Sequence, residues 1–226
     1  MTKDPMPNEL DYDQTQDYLT SLVPPRPVEL QAMEAYAEQT AFPIVGPAAG
    51  YTCYQIARMI GARRICELGS GYGYSTAWFA HAVHENVALS GGDAGGGVVH
   101  HIVWDEELSQ RAQQYLGRLG FAPIVQYHIG EAVQVLRELA GPFDLIFNDI
   151  NKDGYSDSLP TIAEKLRPGG VLIVDNMLWH GRIFDPNDQN VATHGVRELT
   201  RLLATSPDWI LSVLPIRDGL AVAFKK

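Results

Sequence analysis

Short apolar runs alternate along this chain with longer segments whose apolar residues recur every three or four positions. Arg64–Leu68, Val98–Val103, Ile124–His128, Phe143–Phe147 and Val171–Val174 are short and rich in apolar and β-branched residues, the pattern of strands buried on both faces. The segments between them, Tyr74–Val83, Glu106–Leu119, Glu131–Leu139 and Ser156–Leu166, carry helical periodicity. This order predicts a doubly wound α/β fold, a mostly parallel sheet with helices on both faces. Two more helices, over Val28–Ala41 and Gly50–Ile60, are expected before the first strand. In the former, Leu30, Met33, Ala37 and Ala41 stand three and four residues apart. Towards the C-terminus, a helix over Arg197–Ser206 leads into Trp209–Leu214 and Leu220–Phe224, read as an antiparallel hairpin closed at Arg217-Asp218-Gly219. The expected sheet has seven strands.

The text from Glu9 to Val23 is acidic and polar, and prolines at 24, 25 and 27 stop any helix there. Residues 1–27 are therefore expected to form an N-terminal arm and residues 28–226 a single domain. The glycine-rich stretch Gly91–Gly97 is short enough to be a loop inside that domain. With 226 residues, 46% hydrophobic and 19% charged, the chain can bury its own core and is not disordered. A net charge of -10 disfavours nucleic acid, which is bound mainly through lysines and arginines on phosphates. The only cysteines, Cys53 and Cys66, lie in apolar stretches, which suits a reducing compartment. No leader-like segment and no run of about 18 apolar residues is present. A soluble, cytoplasmic protein without a membrane partner is the expectation.

Glu67-Leu68-Gly69-Ser70-Gly71-Tyr72-Gly73-Tyr74-Ser75 places a glycine-rich turn between the first strand and a helix. Glycines there let a ligand approach the backbone, and a helix N-terminus favours a negative group, so a nucleotide-like cofactor is implied. The dinucleotide pattern G-x-G-x-x-G would need glycine at 74, where tyrosine stands, and Glu67 would repel a pyrophosphate. A dinucleotide-dependent oxidoreductase is thereby disfavoured. The acid suits a cofactor with a cationic amino acid part, and the turn resembles motif I of the class I S-adenosylmethionine-dependent methyltransferases. Glu67, Gly69, Ser70, Gly71, Tyr74 and Ser75 are its candidate cofactor residues.

Phe147-Asn148-Asp149-Ile150-Asn151-Lys152-Asp153-Gly154-Tyr155 ends the fourth strand, and Val174-Asp175-Asn176-Met177-Leu178-Trp179-His180-Gly181 ends the fifth. The carboxyl ends of parallel strands line the ligand crevice, so both acids face the glycine-rich turn. With these segments the chain resembles the cation-dependent O-methyltransferases, the family of catechol O-methyltransferase and the plant caffeoyl-CoA O-methyltransferases. Their patterns F-x-D-A-D-K-x-x-Y and G-G-x-x-x-x-D-N-x-L-W-x-G match Phe147–Tyr155 and Gly169–Gly181 with few departures. The likeness runs from about Val45 to the C-terminus and includes Asp218-Gly219. It implies a Rossmann-like sheet, with Asp149, Asp175 and Asn176 as ligands of Mg²⁺ or another divalent cation. It further implies Lys152 as the base at the substrate, Asp149 also beside the cofactor, Val45 flanking its methionine part, and Glu131 and Ala132 near its adenine. A homodimer is implied as well.

The chemistry agrees with these roles. Two carboxylates and an amide oxygen form a hard donor set suited to Mg²⁺, with room left for water and two vicinal hydroxyls. A phenol has a pKa of about 10, which a bound cation lowers as it does for metal-bound water. Trp179, just beyond the ligands, is placed to stack on a planar aromatic substrate. The expected activity is methyl transfer from S-adenosylmethionine to a hydroxyl of a small catechol-type molecule. His100 and His101 are adjacent in a strand, so they face opposite ways and do not share a metal. The second strand departs from the family, ending Ile102-Val103-Trp104-Asp105-Glu106 with Val103 where an acid usually binds the ribose. Either Asp105 substitutes from two residues later, or the ribose loses its bidentate acceptor. The latter makes a non-catalytic or regulatory S-adenosylmethionine-binding protein the alternative.

Overall fold

The computed structural model describes residues 11–91 and 96–226. Strands β1 (Arg64–Leu68), β2 (Val98–Val103), β3 (Val125–Ile129), β4 (Phe143–Asn148) and β5 (Leu166–Val174) pair in parallel, and β6 (Trp209–Leu214) and β7 (Leu220–Lys225) close the sheet antiparallel. Their order is β3-β2-β1-β4-β5-β7-β6. Eight α-helices are described: α1 (Tyr12–Ser21), α2 (Val28–Thr40), α3 (Gly46–Met59), α4 (Tyr74–Leu89), α5 (Glu106–Arg118), α6 (Ala132–Glu138), α7 (Tyr155–Lys165) and α8 (Val191–Thr205). None of these helices is long and apolar enough to cross a membrane.

Alternation along the strands splits the core in two. Ile65, Leu145, Phe147 and Ile173 pack with residues of α2, α3, α4 and α5, whereas Cys66, Ile146, Leu172 and Val174 pack with those of α6, α7 and α8. His100 and His101 obey the same rule. The former stacks on His128, and the latter meets the Thr76 hydroxyl and the Tyr127 ring. The chain runs outward from β1 to β3 and then crosses to β4 on the other side of β1. That reversal opens a crevice at the carboxyl ends of β1 and β4.

Several elements differ from expectation: α3 starts at Gly46 rather than Gly50, and α4 runs on to Leu89. The arm contains α1, whose start is capped by the Asp11 carboxylate accepting the Gln14 N–H at 2.9 Å. β5 begins at Leu166 because a register shift between Phe143 and Leu145 admits the turn-like Arg167-Pro168-Gly169-Gly170 into the strand. α8 begins at Val191, where the Asn190 side chain accepts the Ala192 N–H, and Gly195 lies inside it. The first ten residues of the arm, and residues 92–95 of the glycine-rich loop, lie outside the described residues.

Gly50 sets the distance between α3 and α4. A Cβ there would stand 2.3 Å from Nε1 of Trp78, whose ring is enclosed by Tyr51, Tyr54 and Tyr74. Gly50→Ala should therefore destabilise by about 1–3 kcal/mol through overpacking and lower the thermal midpoint by several degrees. An unchanged melting curve would show that this interface can yield.

Candidate active site

The glycine-rich turn is pinned between two strands. The N–H groups of Gly69 and Ser70 donate to the Ile102 carbonyl at 3.2 and 2.9 Å, and the Ser70 hydroxyl accepts the Ile102 N–H at 2.9 Å. Gly69 has φ +86°, and a Cβ there would stand 2.4 Å from the Asp149 carbonyl, so only glycine lets the turn close on the end of β4. Beneath it Glu67 is fully buried. The Thr76 hydroxyl donates to its Oε2, while Oε1 has no partner among the described residues. Burial pushes the carboxyl up to about 7, against the pull of the Ser75, Thr76 and Ser70 hydroxyls.

Asp149 and Asp175 leave neighbouring strand ends. The Asp149 N–H donates to the Leu68 carbonyl at 2.9 Å and the Asp175 N–H to that of Asn148 at 3.3 Å. The Tyr155 hydroxyl donates to the Asp175 carbonyl at 2.8 Å and fixes the end of β5. Asp175 is buried, and its Oδ1 has no partner among the described residues. Its carboxyl rises to about 7, first through burial and then through the charge of Asp149. Asp149 is raised by desolvation, with Lys152 opposing. The Lys152 ammonium donates to Asp149 Oδ1 at 2.7 Å and lies over the rings of Tyr155 and Trp179, 5.2 and 6.0 Å from their centroids. Gly195 of α8 seats the lysine's backbone: a Cβ there would come within 2.0 Å of the Lys152 carbonyl.

The loop after β5 is strained. Asn176, Trp179 and His180 have φ of 56°, 47° and 51°, a region non-glycine residues occupy at a cost and mostly near functional sites. Asp218 holds it in place. Its carboxylate accepts the His180 N–H at 2.6 Å and the Asn176 amide at 3.3 Å, and its carbonyl accepts the Leu178 N–H at 2.7 Å. The Asn176 amide nitrogen is thus engaged, which leaves its side-chain oxygen without a hydrogen bond among the described residues.

These parts meet in one cavity of about 940 Å³. Val45, Gly69, Ser70, Gly71, Tyr74, Ser75, Asp149, Lys152, Asp175, Asn176 and Trp179 all line it. Asp105, Glu131 and Ala132 do not, and neither does Glu67, which is buried beneath the turn. One Asp105 oxygen accepts the N–H groups of Glu107 and Leu108, Glu131 accepts those of Val133 and Gln134, and Ala132 is buried. Both acids thus cap helices at the ends of β2 and β3, where Val103 is buried and Trp104 is 70% exposed. Tyr12, Asp13, Gln16 and Asp17 of α1 also line the cavity, as do Arg217 and Asp218. The sequence singled out none of these six individually for the site. The Arg217-Asp218-Gly219 turn was legible, but its approach to β5 was not.

The donor sets fit the groups the sequence implies. A carboxylate oxygen of Glu67 without a partner, under a glycine cradle, matches a ligand with a cationic amino group. Among the described residues no three His, Cys, Asp or Glu side chains group around a metal position. The set at hand is two carboxylates and an amide, which suits a hard divalent cation. Because its folded pKa lies above the ordinary 4.5, Glu67 favours the fold fully below about pH 4.5, and that contribution is lost as pH rises through 7. The ligand-free protein should therefore melt at lower temperature at pH 8 than at pH 5, and Glu67→Gln should reduce the difference by a few degrees. Identical pH profiles for the two proteins would contradict the assignment.

A family model described as O-methyltransferase matches residues 29–226. A catechol O-methyltransferase of Niastella koreensis is 31% identical over 191 residues, 80% of this chain and 82% of that protein. The crystal structure of the O-methyltransferase TomG of Streptomyces achromogenes, involved in tomaymycin synthesis and in complex with S-adenosylmethionine, superposes with a TM-score of 0.82 at 27% identity. The match covers 94% of this chain and 96% of that one. With its fold, glycine cradle and strand-end acids in agreement, the chain belongs to the O-methyltransferase family and is an S-adenosylmethionine-dependent enzyme acting on a small organic molecule.

Proposed function

We propose that this enzyme is a divalent-cation-dependent, most simply Mg²⁺-dependent, methyltransferase acting on one of two vicinal hydroxyls of a catechol-type molecule. The observation that carries the reading is the convergence of Asp149, Asp175, Asn176 and Lys152 in the cavity that contains the glycine-rich turn. The acceptor named for the Niastella koreensis relative supports it.

Asp149, Asp175 and Asn176 would hold the cation, and Glu67 the ammonium end of the cofactor. S-adenosylmethionine supplies an electrophilic methyl group, and the cation supplies positive charge that acidifies a phenol. The protein contributes position and proton transfer. Lys152, once its ammonium has released a proton to solvent, takes the hydroxyl proton as the neutral amine. It shares Asp149 with the cation site, so one carboxylate links the two. Trp179 lies 6.0 Å from the lysine and offers a flat apolar wall for an aromatic acceptor. Val103 at the end of β2 bears on cofactor affinity, while family membership speaks against a non-catalytic role.

Transfer of labelled methyl to catechol should require Mg²⁺ and disappear with excess chelator. Asp175→Asn should lower turnover at least about 100-fold without lowering the thermal midpoint, because a buried acid is removed. Lys152→Met should lower kcat by about 10²–10⁴ with the dissociation constant for S-adenosylhomocysteine unchanged. Turnover that persists with chelator, or in Asp175→Asn, would overturn the cation assignment.

A further inference from the structure

Arg217 stands in the turn before β7 with φ +51°. A side chain in this left-handed region is disfavoured, and nothing in the turn itself requires arginine. Its N–H donates to the Gln16 side chain of α1 at 2.7 Å. Its side chain runs past Gly46, with Cδ and Nε 3.7 and 3.8 Å from where a Cβ there would stand. It lines the same cavity as Lys152, Asp175 and Trp179. Asp149, Asp175 and Tyr12 of α1 line that cavity with it, so its charge acts on all three.

The guanidinium makes no ion pair among the described residues. Asp149 is paired with Lys152, and Asp218 is engaged by the His180 N–H and the Asn176 amide. An arginine with its planar fork of donors unspent, inside a substrate cavity, matches a carboxylate in two-point contact. We infer that Arg217 is a specificity-determining residue that pairs with a carboxylate carried by the diol acceptor. This inference rests on the methyl-transfer reading above. Asp13 and Asp17 of α1 also line the cavity and favour a cationic acceptor instead. Both are exposed, so solvent and salt screen them, whereas a contact inside the cavity is screened less.

The test compares 3,4-dihydroxybenzoate, catechol and dopamine as acceptors for the full chain, as wild type, Arg217→Gly and Arg217→Lys. Glycine tolerates the backbone conformation, so the turn persists in that variant. The wild type should prefer the carboxylated diol. Arg217→Gly should lower kcat/KM for that diol about 10- to 100-fold, mainly through KM, and narrow its preference over catechol, with Arg217→Lys intermediate. Calorimetry on protein loaded with S-adenosylhomocysteine and Mg²⁺ should show the same loss in 3,4-dihydroxybenzoate affinity. An unchanged preference and affinity in Arg217→Gly, or a dopamine preference in both proteins, would overturn the inference. A loss of S-adenosylhomocysteine affinity would do so too, by placing Arg217 on the cofactor. If no diol is turned over, the functional reading fails, while the calorimetric comparison still decides the role of Arg217.

Discussion

Two backbone hydrogen bonds, from Asp149 to the Leu68 carbonyl and from Asp175 to the Asn148 carbonyl, govern the chemistry of this molecule. They hold the carboxyl ends of β1, β4 and β5 side by side at a parallel-sheet spacing of about 4.8 Å. Asp149 and Asp175 consequently enter one partly dry cavity, with Glu67 buried beneath the glycine-rich turn beside it. Two like charges a strand spacing apart repel by about 3 kcal/mol at an effective permittivity near 20. The rise of Glu67 and Asp175 to about 7 expresses burial first, with the charge of Asp149 adding to it. The divalent cation proposed above would offset that charge. The protein itself supplies positive charge through the Lys152 ammonium on Asp149 and the Arg217 guanidinium in the same cavity.

The surrounding structure keeps these acids from relaxing. Gly69 permits the turn to touch the end of β4, Tyr155 ties off β5, and Gly195 lets α8 press on the backbone of Lys152. Across the cavity, Asp218 bonds Asn176 and His180, two of the three residues in left-handed backbone conformations, and Leu178 between them, so local strain after β5 is offset by contacts from the turn before β7. Stability is sacrificed here for preorganisation, a trade usual at active sites.

Most of the fold was legible because burial on both faces of a parallel sheet leaves short apolar runs that no helix period imitates. β1, β2 and β6 lie where the pattern places them. What eluded the pattern was governed by tertiary contact. Gly195 looks like a helix breaker until the Lys152 carbonyl is seen against it, and Arg167-Pro168-Gly169-Gly170 looks like a turn until β4 shifts register to receive it. α1 has no buried residue, so its apolar periodicity is weak, and its place over the cavity depends on contacts such as Gln16 with Arg217. The strand-end acids could be read because residue order along β4 and β5 sets their positions. Arg217 could not, since a hairpin turn carries no sign of which cavity it overhangs. Asp105 and Glu131 could be read only as acids near strand ends. Their commitment to capping α5 and α6 depends on side-chain geometry.

Asp149, Asp175 and Asn176 are proposed to form a divalent-cation site, which binding of such an ion tests most directly. Manganese can report it directly, through electron paramagnetic resonance of a Mn²⁺ titration with S-adenosylhomocysteine present. The account predicts one Mn²⁺ bound per chain, displaced by Mg²⁺ and lost in an Asp149→Asn, Asp175→Asn double variant that still binds S-adenosylhomocysteine. A wild-type protein that binds no Mn²⁺, or a double variant that binds it equally well, would contradict the account.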